Sequence, residues 1–225
     1  MATINISNSR RRRLGRRLLA WWREHKREFD WRSRPLTSYE VAVLEILLRR
    51  TTATAVANVY PSFIERFPGV TSIAGVPHSV LSTFLKGLGL ENQRASDLKN
   101  MAQHVLSRKS KMFAAQTHEL EKTPGLGPYA ARAIQVYARG RAYCPIDSNV
   151  SRVFSRVFRD AIGSRPRISE FQDFADALVT RTRPRAFNWA LMDLGATVCR
   201  YDRPRCEVCS LSPICDFFRR NNPKK

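Results

Sequence analysis

The chain has 225 residues, 43% of them apolar, which is enough for one large domain or two small interlocked ones and excludes global disorder. Lys and Arg number 39 against 19 Asp and Glu, giving a formal charge of +20. Such a surplus favours a polyanionic partner, most commonly nucleic acid, over a merely solubilising surface. No apolar run reaches the roughly 18 residues of a membrane span, so no membrane partner is expected.

The N-terminus, MATINISNSRRRRLGRR, contains no apolar stretch of the signal-peptide type. Its Arg and Ser content faintly resembles an organelle transit sequence, but we favour a flexible basic arm over residues 1–10. Four of the five cysteines lie near the C-terminus, whereas a secreted disulfide scaffold would spread them along the chain. We therefore expect a cytoplasmic, nucleoid-associated protein in a reducing compartment.

Helical periodicity dominates and no alternating strand pattern is evident, which predicts an all-α fold. Ser38 and Pro128 are typical first-turn residues, and Gly140 is a typical helix stop. The predicted helices cover residues 11–27, 38–53, 55–66, 78–86, 92–107, 116–122, 128–138, 148–160, 169–180 and 186–198.

A tight turn with the sequence TPGLG (123–127) separates the predicted helices at 116–122 and 128–138. Its glycines, Gly125 and Gly127, expose backbone N–H groups at a helix N-terminus, which is an anion site suited to a DNA phosphate. An ordinary turn is the alternative interpretation of this motif when it is taken alone.

Two carboxylates are candidates for chemistry. Asp147 stands at the head of the predicted helix 148–160, where the alternative to a catalytic role is a helix N-cap. Glu45 lies in a helix that is apolar on almost every side, where an acid should be paired or perturbed. Its alternative role is an ion pair with Arg49 at i+4.

The C-terminal segment contains the pattern C-x6-C-x2-C-x5-C, with thiols at Cys199, Cys206, Cys209 and Cys215. Four cysteine ligands suit either tetrahedral zinc or a cubane iron–sulfur cluster. A zinc ribbon usually pairs two C-x2-C knuckles, and only one is present, so the spacing favours a 4Fe-4S cluster with a structural role. The fifth, Cys144, is expected to be a buried apolar residue.

Together, the hairpin, an aspartate 18 residues after Tyr129 and the cysteine loop resemble the endonuclease III/MutY superfamily of helix-hairpin-helix DNA glycosylases. Three segments, VLEILLRRTTA (43–53), GLENQRA (89–95) and FNWALMDLGATVC (187–199), look like those of the thymine–DNA G/T mismatch glycosylases of that superfamily. The resemblance extends from Trp21 to Cys215.

The resemblance implies a two-lobed all-α fold with DNA in the cleft. Residues 31–141 would form a six-helix barrel lobe that contains the hairpin. Residues 11–30 with 142–219 would form the iron–sulfur lobe, followed by a tail at 220–225. The chain ends ten residues after Cys215, so we expect no further C-terminal domain of the MutY type.

The resemblance also assigns roles in catalysis. Asp147 matches the family's essential aspartate. Tyr129 occupies the position where bifunctional members carry a Schiff-base lysine and MutY-type enzymes usually carry serine, so a monofunctional enzyme with weak or no lyase activity is expected. Glu45 matches the glutamate that acts on the departing base in MutY-type relatives. Asn149 matches a supporting residue that orients the site.

Other residues would contact DNA, by the same resemblance. Leu90 aligns with a wedge that enters the base stack, with an ordinary core leucine as the alternative. Arg49 and Arg50 follow a buried-looking helix, and one of them would enter the DNA or contact the orphaned guanine, unless both are simple phosphate contacts. Gly125 and Gly127 would donate amides to a phosphate.

These features predict removal of thymine or uracil paired with guanine in double-stranded DNA by a monomeric N-glycosylase. Removal of adenine or an alkylated base by the same machinery is the first alternative. A catalytically silent module that binds damaged DNA is the second, and retention of Asp147 argues against it.

Overall fold

The computed structural model of the protein describes residues 6–163 and 166–222. These residues form helices and no strand, which confirms the all-α prediction. No described helix combines the length and apolar character needed to cross a bilayer. The helices are α1 (Asn8–His25), α2 (Ser38–Leu47), α3 (Ala53–Arg66), α4 (Val70–Gly75), α5 (His78–Phe84), α6 (Glu91–Ser107), α7 (Thr117–Leu120), α8 (Pro128–Ala133), α9 (Ser148–Val157), α10 (Arg159–Ile162), α11 (Ile168–Leu178), α12 (Pro184–Thr197) and α13 (Asp216–Asn221).

The chain divides into two compact units. One consists of Glu28–Arg139, and the other combines Met1–Arg27 with Gly140–Lys225. The limits of these units lie within three residues of the lobe boundaries at 30/31 and 141/142 given above. The identification of the units as barrel lobe and cluster lobe stays a prediction.

Within Glu28–Arg139, helix α2 is buried on nearly every side and packs against α3, α6 and α8. A capping box starts it: the Thr37 hydroxyl accepts from the Glu40 N–H at 3.2 Å, and the Glu40 carboxylate accepts from the Thr37 N–H at 2.8 Å. This cap and the burial of α2 fix the helix, so the segment 48–52 that follows it is attached to a rigid element.

Within the other unit, α12 packs against α1 and α9. Two buried carboxylates join distant parts of this unit's sequence. Asp193 accepts from the Trp22 indole at 2.9 Å and from Arg27 Nε at 2.6 Å. Asp216 accepts from the Asp160 N–H at 3.0 Å and pairs with Arg10 at 2.6 Å. A buried acid is tolerable when it is paired in this way.

Several helix boundaries differ from the prediction. Helix α2 ends at Leu47, not at residue 53, because Arg50 adopts a left-handed φ of 47° and Thr52 caps α3. The predicted helix 148–160 breaks at Phe158, where α10 begins a separate turn. Helices α4 and α13 were not predicted, because six residues are too few for periodicity to identify.

The predicted arm (1–10) and the predicted tail (220–225) both include residues that belong to helices. Residues 1–5 and 223–225 lie outside the described part of the chain. Helix α1 begins at Asn8, and Arg10 donates to the carbonyls of Val157 (2.7 Å) and Ile214 (2.8 Å), so residues 8–10 are part of the packed unit. In the tail, Arg220 belongs to α13 and pairs with Asp160 at 2.5 Å.

Candidate active site

The hairpin is a reverse turn between α7 and α8. The Leu126 N–H donates to the Thr123 carbonyl at 3.0 Å, and Gly127 leads directly into Pro128, the first residue of α8. Proline suits this position because its missing N–H would have no helical partner there. The turn and its flanking helices were correctly predicted.

The two glycines of the hairpin meet different demands. Gly125 has a left-handed φ of 78°, and a Cβ atom there would approach within 3.2 Å of the Asp97 side chain. Gly127 has extended backbone, and a Cβ atom there would meet nothing within 4 Å. Gly125 is therefore required by the fold of the turn, whereas Gly127 leaves its exposed surface open for a ligand to approach the backbone closely.

Arg49 contacts the hairpin through its side chain. Its guanidinium pairs with Asp97 at 2.5 Å and also donates to the Gly125 carbonyl. Arg49 thus forms an ion pair with Asp97 on α6. Both contacts of its guanidinium lie within the unit Glu28–Arg139. Asp97 was missed by the sequence reasoning, because its role depends on a fold that brings α6 beneath the turn.

Arg50 and Leu90 share an unusual conformation. Both are exposed and both have left-handed φ angles, 47° for Arg50 and 53° for Leu90. Leu90 is 46% exposed, so the alternative of a core leucine is wrong. Large side chains rarely adopt this conformation, which clusters at functional sites when the surroundings enforce it.

Arg94, on α6, is buried next to the segments that carry these two residues, with 1% of its surface exposed. Its guanidinium donates to three backbone carbonyls, those of Ile46 (3.4 Å), Arg49 (2.6 Å) and Leu88 (3.3 Å). Burial lowers the pKa of Arg94 from its ordinary value. The sequence reasoning missed this residue, although an arginine on the apolar face of α6 was a usable signal.

Asp147 caps α9 in the other unit. Its Oδ1 accepts from the Val150 N–H at 2.7 Å, and its Oδ2 accepts from the Asn149 side-chain amide at 3.1 Å. The side chain is half-buried. The helix-cap role and a catalytic role of Asp147 are therefore compatible. Capping fixes the carboxylate at a helix N-terminus, and part of the side chain stays accessible.

Arg152 extends the hydrogen bonds of Asp147 into α12. It donates to Asn149 Oδ1 at 2.6 Å and to the carbonyls of Gly195 (2.8 Å) and Cys199 (2.7 Å). Gly195 leaves room for this contact, since a Cβ atom there would come within 2.6 Å of the Asn149 side chain. Arg152 was also missed from the sequence, where it is one of many arginines.

Tyr129 and Glu45 both lie in the unit Glu28–Arg139. Tyr129 is the second residue of α8 and is half-buried, directly after the hairpin. Glu45 is half-buried on α2 among buried apolar neighbours. Asp147 and Asn149 belong to the other unit, so the structure groups Asp147 with Asn149, and places Tyr129 and Glu45 on two helices that pack against each other.

All four predicted ligand cysteines line one cavity, which they share with apolar side chains such as Val153, Leu194 and Phe217. Burial raises the pKa of three of these thiols, to about 12 for Cys209. In the described part of the chain, no three His, Cys, Asp or Glu side chains are grouped to hold a metal ion.

Positive charge and N–H donors lie next to the sulfur atoms. Arg156 Nη1 is 3.5 Å from Cys199 Sγ, and its guanidinium also donates to the carbonyls of Arg200 (2.6 Å) and Tyr201 (2.7 Å). Backbone N–H groups reach the sulfurs of Cys209 and Cys215 and oppose the increase of their pKa. These donors favour the thiolate form, whereas burial, which has the larger effect, favours the neutral thiol. The fifth, Cys144, is fully buried, as predicted.

An all-helical chain with a glycine hairpin and a helix-capping aspartate has the architecture of helix-hairpin-helix DNA repair proteins. A family model described as "HhH-GPD superfamily base excision DNA repair protein" matches residues 43–178, more than half of the chain. The chain therefore belongs to this superfamily.

Individual relatives agree with this assignment. The chain is 31% identical over 220 residues to the thymine/uracil-DNA glycosylase of Methanothermobacter thermautotrophicus, covering 96% of this chain and 98% of that protein. The solved structure of a thermostable thymine-DNA glycosylase matches with a TM-score of 0.88 and 30% identity, covering 95% of this chain and 98% of that one. The adenine DNA glycosylase of Homo sapiens is 32% identical over 88% of this chain, but over only 38% of its own length.

The hairpin glycines give a matched pair of substitutions. Gly125→Ala should lower the free energy of unfolding by about 1–2 kcal/mol, because alanine is strained at a left-handed φ. Gly127→Ala should leave stability unchanged but weaken DNA binding, because its methyl group occupies the open surface. Urea unfolding and fluorescence anisotropy with a DNA duplex measure the two effects. Equal stability losses in both variants would contradict this account of the turn.

Proposed function

We propose that this protein is a monofunctional glycosylase that removes thymine or uracil paired with guanine in double-stranded DNA. The observation that carries the proposal is the similarity, over nearly the whole length of both chains, to a thymine/uracil-DNA glycosylase. The fixed carboxylate of Asp147 supplies the chemistry that this reaction needs.

Cleavage of an N-glycosidic bond develops positive charge on the sugar, which a fixed carboxylate stabilises. Asp147 has this role in our proposal, and its free lone pairs also orient or deprotonate the attacking water. Asn149 and the Val150 N–H hold the carboxylate, so little reorganisation is required as charge develops. Arg152 fixes Asn149 in turn.

The target base must leave the duplex before this chemistry can take place. We assign Tyr129 to contact with the flipped base or its sugar, and Glu45 to the departing base as a hydrogen-bonding or proton-donating group. The half-buried positions of both side chains, on helices that pack together, support these assignments.

We assign DNA contacts to residues that are exposed and whose side chains are not already bonded within the described part of the protein. Gly127 has the open backbone that a phosphate needs, and Leu90 is an exposed apolar side chain suited to wedging into a base stack. Arg50 is exposed, whereas Arg49 is engaged with Asp97 and Gly125. We therefore assign direct contact with DNA to Arg50 and support of the hairpin to Arg49.

The second candidate function is removal of adenine, favoured by the 32% identity to a human adenine DNA glycosylase. Tyrosine at position 129, where MutY-type enzymes usually carry serine, weighs against it. So does coverage, because the chain matches only 38% of that enzyme's length.

We further propose that Cys199, Cys206, Cys209 and Cys215 hold a 4Fe-4S cluster. All four cysteines line one cavity, and their single C-x2-C knuckle supports a cluster over a zinc ribbon, which usually pairs two such knuckles. Arg156 and the nearby N–H donors favour charged ligands. The cluster would fix the shape of a loop that has little apolar core of its own.

The substrate assignment is tested with duplexes that contain G·T, G·U, A·G or A·8-oxoguanine, followed by alkaline cleavage of abasic sites. Release of thymine and uracil only is the expected result, because Tyr129 departs from the adenine-type pattern. Release of adenine would move the assignment to the second candidate. No release from any duplex, with DNA binding intact, would indicate a silent binding module.

The cluster assignment predicts about four iron atoms per chain and a broad visible absorption that strong oxidants bleach. Elemental analysis of protein purified without added metal is the measurement. Cys144→Ser serves as the control and should keep the iron, whereas Cys209→Ser should lose it. Stoichiometric zinc without iron would contradict the proposal.

The identity of residue 129 predicts whether the DNA strand is cut after base release. A phenol cannot form an imine at C1′, so the wild-type protein should leave an intact strand with an abasic site, and borohydride should trap little covalent complex. Tyr129→Lys should gain strand cleavage and a trapped complex, with Tyr129→Phe as the control that gains neither. Base release by Tyr129→Lys without any trapping would show that position 129 does not face the sugar.

A further inference from the structure

Arg50 and Leu90 are exposed residues of two loops, and each has a left-handed backbone conformation that disfavours a non-glycine residue. A left-handed conformation disfavours a non-glycine residue by about 1–2 kcal/mol. The Leu90 loop also contains Gly87 and Gly89 with positive φ angles of 97° and 73°. Because such loops relax unless neighbouring groups over-determine them, something must hold both in place.

A single side chain bonds to both loops. Arg94 Nη2 lies 2.6 Å from the carbonyl of Arg49, the residue before Arg50, and 3.3 Å from the carbonyl of Leu88, two residues before Leu90. Its other terminal nitrogen reaches the Ile46 carbonyl, in the last turn of α2, at 3.4 Å. One planar guanidinium therefore joins the two loops to α2.

The chemistry of this position requires a guanidinium. The last carbonyls of a helix lack internal partners, and a cation near them is favourable. A guanidinium offers a rigid fork of donors to several acceptors and stays charged when buried, whereas a lysine ammonium is a point charge on a flexible stem. Burial of Arg94 to 1% exposure keeps water from competing for these carbonyls.

We propose that Arg94 is a positioning residue that presets Arg50 and Leu90 in their DNA-entering conformations before DNA binds. Arg94 touches neither DNA nor the reacting bond, and acts only through the two loops. Presetting lowers the cost of ordering the loops when the base is flipped. This inference rests on the proposed function, because it assigns Leu90 and Arg50 to the flipping step.

The test compares Arg94→Met, which removes every donor, with Arg94→Lys and with a matched control, Arg139→Met. Arg139 also donates to three carbonyls of its own unit, those of Phe113 (3.5 Å), Ala114 (2.7 Å) and Ala115 (2.8 Å), but at a loop that carries neither Arg50 nor Leu90. Each full-length variant is mixed with a G·T duplex that carries 2-aminopurine next to the target thymine. Its emission reports flipping, alkaline cleavage under single-turnover conditions reports base release, and thermal unfolding reports the fold.

Arg94→Met should lose most of the rise in 2-aminopurine emission and about 100-fold in the rate of base release, the loss typical of a small displacement of a positioning group. Its affinity for DNA should change much less, because phosphate contacts dominate binding. Arg94→Lys should fall between Arg94→Met and wild type. Arg139→Met should keep wild-type emission even where its melting temperature falls.

Wild-type emission from Arg94→Met, or equal losses in Arg94→Met and Arg139→Met at similar melting temperatures, would overturn the proposal. If Arg94→Met does not fold, wild-type emission from folded Arg94→Lys would overturn it. A wild-type protein that raises emission but releases no base would refute the proposed function alone, because emission still decides the role of Arg94.

Discussion

A carboxylate that stabilises a developing cation must be charged, fixed and accessible at the same time. Asp147 is the residue to which we assign this role, and two donors fix its carboxylate, the Val150 N–H at 2.7 Å and the Asn149 amide at 3.1 Å. The donors come from the first turn of α9, where the helix dipole also favours negative charge. Arg152 and the close approach of Gly195 hold Asn149 in position, so the packing of α9 against α12 determines where the carboxylate points. In the proposed mechanism, helix capping and catalysis use one side chain.

Arginines bonded to backbone carbonyls recur throughout the molecule. Arg94 and Arg139 hold loops in one unit, while Arg10, Arg152 and Arg156 hold loops in the other. Because of these contacts, not all of the formal charge of +20 is available to bind nucleic acid. Part of the basic surplus that indicated nucleic acid supports irregular loops from within, and only the exposed remainder is available to phosphates. A glycosylase needs many such loops, because binding groups are carried on turns between rigid helices.

The sequence allowed the fold class and the site to be predicted to different degrees. Long amphipathic helices, the proline at the start of α8 and the glycines of the hairpin were recognisable because each has a local physical cause. The helix cap at Asp147 was anticipated as the alternative to a catalytic role, and Leu90 is exposed rather than a core leucine. The catalytic role of Asp147 and the DNA contact of Leu90 stay predictions. Composition and motifs identified the superfamily before any contact was known.

The parts that escaped prediction depend on contacts between distant segments. Arg94, Asp97 and Arg152 are ordinary polar residues of helices until the fold brings carbonyls or a glycine turn against them. The end of α2 at Leu47 was missed because the sequence continues with good helix formers, while the left-handed turn at Arg50 is enforced from below by Arg94. The short helices α4 and α13 carry too few residues for a period to appear.

The central claim is that the charge of Asp147, and not only its capping bond, drives base release. Asp147→Asn tests it most directly, because asparagine is as good an N-cap as aspartate and keeps an acceptor for the Val150 N–H, while it loses the charge and the acceptor for the Asn149 amide. With a G·T duplex under single-turnover conditions, the account predicts that release falls by about 100- to 1,000-fold or more. DNA affinity and melting temperature should stay near those of the wild type. Release at a near wild-type rate by the folded, DNA-bound variant would contradict the account and leave Asp147 as a helix cap.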